Sequence, residues 1–137
     1  MIWAAAIALA LLAPDDKEAE DAIVKFKSAA RSPEVSVRVA AVRELGQTEH
    51  EKVLKVLANI LETEDKVVRI AAAKVLGAYQ DKKPKAVIVL AASLGSNAKE
   101  PDVEVAILLA LRDLRDKSAL GIAYRYFDDK NGKVAEA

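Results

Sequence analysis

One histidine, no cysteine and carboxylate pairs such as Asp15/Asp16 and Asp128/Asp129 are what this chain offers for proton or metal chemistry. A His-based zinc site or a Ser-His-Asp arrangement needs further imidazoles, or a nucleophile held beside the ring. His50 has neither nearby. It lies in Thr48-Glu49-His50-Glu51, which reads as a T-x-x-E capping box and makes His50 a residue of a surface turn. Asp15/Asp16 and Asp128/Asp129 read as helix caps and linkers, not as an acid and base poised in a dry cleft. Lys82-Lys83-Pro84-Lys85 reads as a solvated turn, and no Gly-rich phosphate loop is present. Without cysteine there are no disulfides, thiolate metal sites or cysteine nucleophiles. The sequence therefore assigns no catalytic, cofactor-binding or metal-binding residue, and the expectation is a protein that is not an enzyme and carries no cofactor.

The elements that hold these side chains are helices. At 137 residues the chain has the length of one domain, with 53% apolar residues but only 4% aromatic ones. Alanine, valine and leucine must build the core, which suits closely spaced helices. Thr, Tyr and Phe are too few for a sheet-rich protein. Lysine plus arginine equals aspartate plus glutamate, 21 each, so the basic excess typical of nucleic-acid binders is missing.

One stretch organises the rest. Asp65 to Gly77 places Val68, Ala71, Ala72, Val75 and Leu76 on one helical face. A near copy, Val37-Arg38-Val39-Ala40-Ala41-Val42-Arg43-Glu44-Leu45-Gly46, lies 68 minus 37, or 31, residues earlier without a gap. A weakened copy follows at Val103, Ala106 and Leu111, offset by 103 minus 68, or 35. There Glu104 replaces the arginine, Ile107 the second alanine and Arg112 the glycine. Periods of this size mark a repeat architecture.

Between the copies run other amphipathic stretches. Asp15 and Glu18 open a helix with Ala22, Ile23, Phe26, Ala29 and Ala30 apolar, and Pro33 suits the first turn of the next. Glu51 launches a helix burying Val53, Leu54, Val56, Leu57, Ile60 and Leu61. Pro84 starts one with Val87, Val89, Leu90 and Leu94, ending at Gly95, and the segment from Ser96 to Pro101 is the most loop-like. Asp116 caps a last one carrying Leu120, Ile122, Ala123, Tyr126 and Phe127.

The two ends carry separate expectations. Met1 to Ala13 is an uninterrupted apolar run, too short for a bilayer, which needs about 20 residues. Its length and the Ala8-Leu9-Ala10 pattern fit a signal-peptide core, although no Lys or Arg precedes it. On that reading the protein is exported, periplasmic or secreted. The other reading is a short helix covering the open end of the repeat array, in a protein that stays in the cytoplasm. At the other end Val134 to Ala137 matches the V-x-x-A that opens each copy. Residues 15–137 thus read as about three and a half repeats, truncated inside the second helix of a fourth.

The motifs Val37-Arg38-x-Ala40-Ala41-x-x-x-Leu45-Gly46 and Asp65-x-x-Val68-Arg69-x-Ala71-Ala72-x-x-x-Leu76-Gly77 resemble HEAT repeats, in particular the short bacterial class grouped with phycobilisome-lyase repeats. The resemblance implies an all-α, right-handed α-solenoid of stacked antiparallel helix pairs. It also implies a protein-interaction scaffold whose second helices present a concave face. Alternatives are the regulatory or sensing part of a larger exported protein and a bilin-lyase-like accessory factor, for which no pocket motif stands in the sequence.

Within the motif, paired alanines let helix axes approach. The glycines either end the helix in a left-handed conformation or admit a close neighbour. Glu34 with Arg38 and Asp65 with Arg69 have the spacing of helical ion pairs. In the family such positions form ladders between repeats, which Glu100 and Glu104 should break or redirect. One turn round from the core, Arg43, Lys74 and Leu109 occupy equivalent positions and are the candidate partner-binding residues. The expected partner is another protein or peptide, with no nucleic acid and no stable membrane span. The chain is expected to act as a monomer or as part of a larger chain.

Overall fold

Helix-start chemistry and the apolar periodicity divide the chain much as its repeats suggest. A computed structural model describes the backbone of residues 15–136 and the side chains of residues 15–126 and 128. The apolar run Met1–Ala13 and the side chain of Phe127 lie outside the described residues. Seven helices follow in order: α1 (Asp16–Ala29), α2 (Val35–Leu45), α3 (Glu51–Thr63), α4 (Lys66–Gly77), α5 (Lys83–Ser96), α6 (Pro101–Leu114) and α7 (Lys117–Glu136). No strand occurs among the described residues. Each odd helix pairs with the even one after it. The even helices α2, α4 and α6 stack side by side, as do α1, α3, α5 and α7, with the largest interface between α4 and α6. This is an all-α solenoid of three helix pairs and a seventh helix.

The caps explain where several helices begin. Asp15 accepts from the backbone N–H of Glu18 at 2.7 Å, and Asp116 accepts from Ser118 N–H at 2.9 Å. The start of α3 corrects the sequence reading. His50, not Thr48, is its N-cap: Nδ1 accepts from Lys52 N–H at 3.0 Å, while Nε2 meets Asp16 Oδ1 at 2.9 Å. Glu49 is thereby freed to accept from the N–H groups of Gln80 and Asp81 at 2.9 and 3.2 Å, pinning the turn of the following repeat. Pro33 lies two residues ahead of α2 instead of in its first turn, whereas Pro84 and Pro101 do open α5 and α6. At the far end α7 runs unbroken through Asp128 and Asp129 to Glu136. Those two aspartates are neither caps nor linkers, and no separate helix begins at Val134.

Burial follows the repeat. Val68, Ala72, Leu76, Val103, Ile107 and Leu111 are at most 1% exposed. The glycines take the close-contact alternative, since no glycine among the described residues has positive φ. A Cβ on Gly77 would stand 2.8 Å from Ala110 Cα and 2.9 Å from its Cβ, and one on Gly46 would run into Val75 Cγ1. Val75 and Ala110 are themselves equivalent positions, 35 residues apart by the second offset. The glycines therefore set the spacing of the even helices. The third copy ends in Arg112, which is exposed and pairs with Asp113. In α7 the buried register falls on Ala119, with Leu120 49% exposed.

Polar groups join the repeats at the corners. Neither Glu34–Arg38 nor Asp65–Arg69 closes an ion pair along its own helix. The arginines reach the next repeat instead. Arg38 binds Asp65 at 2.5 Å through Nη2 and Ser32 O at 2.8 Å through Nη1, and Arg69 Nη2 lies 4.0 Å from Glu100. Arg69 Nη1 also donates to Asn97 Oδ1 at 2.6 Å. Glu104, at the arginine position, changes partner as expected and accepts from Tyr126 Oη at 2.8 Å. Solvent-facing pairs Glu20–Lys52, Glu51–Lys85 and Lys66–Asp102 add further, solvent-screened links between consecutive repeats.

Tyr79 is 2% exposed and its hydroxyl has no hydrogen-bond partner among the described residues. Burial first, and then the charge of Glu49, push its phenol far above the ordinary range. Burial followed by the bond to Glu104 raises Tyr126 to about 12. A raised phenol pKa means that the fold favours the neutral form. The stability this contributes is complete below an ordinary tyrosine pKa of about 10 and declines as pH rises above it. Tyr79→Phe removes an unsatisfied hydroxyl, so it is expected to be neutral or stabilising by up to about 1 kcal/mol. It should also weaken the fall of urea stability between neutral and strongly alkaline pH. A loss well beyond 1 kcal/mol would show that the hydroxyl has a partner.

Candidate functional site

The stacked even helices leave one continuous face made of equivalent positions. Arg43 on α2 and Lys74 on α4 line a shallow hollow of about 310 Å³, with Gly46 and Val75 at its floor. Lys74 also lines the next hollow, of similar volume, with Ile70 on α4 and Val105 and Leu109 on α6. The sequence-derived trio is thus brought together as one row, with Lys74 shared by both hollows. Val39, Ile70 and Val105 form a parallel row one helical turn earlier, at the spacing that puts i and i+4 on one face. The offsets of 31 and 35 place those residues in register in the sequence as well.

The face is mixed in character. Leu109 is 43% exposed and Val105 53%. Arg43 and Lys74 are exposed and have no ion pair among the described residues. The acids adjoining them are taken: Glu44 by Lys25 at 2.5 Å, Asp102 by Lys66 at 3.1 Å and Asp113 by Arg112 at 3.1 Å. Two positive charges with apolar neighbours therefore remain open to solvent.

Nothing else in the described structure gathers reactive groups. No group of three or more His, Asp or Glu side chains among the described residues could hold a metal ion. His50 is occupied at both ring nitrogens by cap and carboxylate. Among the described residues no helix is long and apolar enough to cross a membrane.

The HEAT repeat family model matches residues 23–112, from the middle of α1 to most of α6. The chain belongs to the HEAT repeat family. No curated protein and no solved structure gives a significant match. HEAT repeats generally serve as protein-interaction scaffolds and are typically non-enzymatic. In this HEAT repeat chain the motif residues are structural: Val68, Ala72 and Leu76 pack, Gly46 and Gly77 set spacing, and Arg38 and Arg69 tie corners. Arg43, Lys74 and Leu109 differ from copy to copy and are exposed.

Proposed function

We propose that this HEAT repeat chain is a non-catalytic scaffold that holds a segment of another protein along the α2–α4–α6 face. Arg43 and Lys74 receive acidic side chains, and Ile70, Val105 and Leu109 receive apolar ones. The supporting observation is the pair of unpartnered cations set among exposed apolar residues at equivalent repeat positions, while the adjoining acids are neutralised. A polyanion would find only two such charges along the row. A peptide alternating acidic and apolar residues matches both features of the face.

Selection from a random peptide library is expected to enrich sequences with acidic residues spaced between aliphatic ones. Recovery of those peptides should fall against an Arg43→Glu/Lys74→Glu variant whose helical circular dichroism is intact. Equal recovery would remove this face from consideration.

A further inference from the structure

The two hollows of the α2–α4–α6 face are copies of one another with different walls. The first stands between Arg43 and Lys74, the second between Lys74 and Leu109. Ala71 and Val75 of the first recur as Ala106 and Ala110 of the second, and each hollow measures about 310 Å³. The first therefore has an unpaired cation on either side of an apolar floor. The second has one unpaired cation, Lys74, and an aliphatic wall of Ile70, Val105 and Leu109. The acids on its rim, Asp102 and Asp113, are held by Lys66 and Arg112. A carboxylate suits the first hollow and a branched aliphatic side chain the second.

The step from one hollow to the next is the spacing of neighbouring even helices. Packed helices lie about 8–10 Å apart, and the close seating of Gly46 on Val75 and of Gly77 on Ala110 keeps these helices in that range. That length selects the conformation of a bound segment. Along a β-strand, side chains on one face recur at about 6.7 Å or about 13 Å, and neither matches. A polyproline II segment has three residues per turn and rises about 3.1 Å per residue, so i and i+3 share a face roughly 9 Å apart. An α-helix reaches the distance only at i+7, about 10.5 Å, and would also set its i+3 or i+4 side chain over Lys74 between the hollows.

We infer, resting on the scaffold reading above, that the face takes a polyproline II segment with an acidic and an aliphatic residue three positions apart. The pattern is Asp/Glu-x-x-Leu/Ile/Val, in either chain direction. Its carboxylate is held between Arg43 and Lys74, and its aliphatic side chain lies against Ile70, Val105 and Leu109.

Nuclear magnetic resonance titration of backbone amides with capped synthetic peptides tests the spacing. Pro-Pro-Glu-Pro-Pro-Leu-Pro-Pro or its reversal is expected to shift amides of α2, α4 and α6. It should bind at least about fivefold more tightly than Pro-Pro-Glu-Pro-Leu-Pro-Pro-Pro, which has the same composition with the two side chains one residue closer. Leu109→Lys gives the second hollow a cation on either side as well. With helical circular dichroism intact, that variant should prefer the peptide carrying Glu in place of Leu, reversing the order seen in the unchanged protein. Equal binding of the matched and shifted peptides would overturn the polyproline II assignment. So would a library-selected peptide that binds this face with another spacing, and either result leaves the scaffold reading standing. No shift on the face with any of these peptides, the library-selected one included, would overturn both.

Discussion

Gly77→Ala is expected to destabilise the protein by about 2 kcal/mol or more, against the intrinsic preference of its helix. Gly77 is the last residue of α4, and alanine in a helix is favoured over glycine by roughly 0.5–1 kcal/mol. On propensity alone the substitution should stabilise. Packing decides otherwise, because the new methyl would meet Ala110 backbone at 2.8 Å. Helix α6 would have to retreat across the most extensive interface among the described helices. Overpacking of this kind costs typically 1–3 kcal/mol, more where backbone must move. Gly46→Ala should cost less, since the obstructing atoms belong to the side chain of Val75, which can change rotamer. Urea unfolding of the two variants checks both the sign and the order. A Gly77→Ala variant at least as stable as the parent would mean that α4 and α6 are not seated as described.

The second large effect is expected at Asn97, a residue that the sequence places in an ordinary loop. It is 1% exposed. Its amide donates to Leu61 O at 3.1 Å and to Ser93 O at 2.9 Å, and its Oδ1 accepts from Arg69 at 2.6 Å. One side chain thus joins α3, α5 and the arginine of α4. Asn97→Leu leaves a buried carbonyl and a guanidinium without their partners, at about 1–3 kcal/mol for each unsatisfied group. A total loss on the order of 3 kcal/mol is expected. Removing both ends of a buried polar contact is less damaging than removing one. Arg69→Met combined with Asn97→Leu should therefore cost clearly less than the two single losses added, with a coupling above about 0.5 kcal/mol in a double-mutant cycle. Strict additivity would show that the Asn97–Arg69 contact carries no energy.

The fold was legible because periodicity survives without any knowledge of partners. Two gapless copies at 31 residues locate α2 and α4, and a third at 35 locates α6. What the sequence hid were interactions set by neighbours in space. Arg38 and Arg69 have good helical spacing to Glu34 and Asp65, yet the next repeat offers Asp65 to the first and the buried amide of Asn97 to the second. Thr48 and Glu51 fit a capping box by type, but the imidazole of His50 accepts from the open N–H of Lys52 and is steadied by Asp16 from the previous repeat. Asn97 and Glu104 look like surface residues in one dimension and are buried in three. The candidate face was legible in part. Equivalence of Arg43, Lys74 and Leu109 follows from the offsets alone, while the neutralisation of Glu44, Asp102 and Asp113, which leaves the two cations open, depends on the folded structure.

The scaffold reading is tested most directly by calorimetric titration of a library-selected acidic–apolar peptide into three forms of the protein. These are the parent, Arg43→Glu/Lys74→Glu, and a control Lys17→Glu/Lys99→Glu that makes the same charge change at exposed residues lining none of the hollows described. Affinity is expected to fall tenfold or more, about 1.4 kcal/mol, for the face variant and to change little for the control. Equal weakening of both would reduce the attraction to net charge, and an unchanged affinity for the face variant would contradict binding along α2–α4–α6.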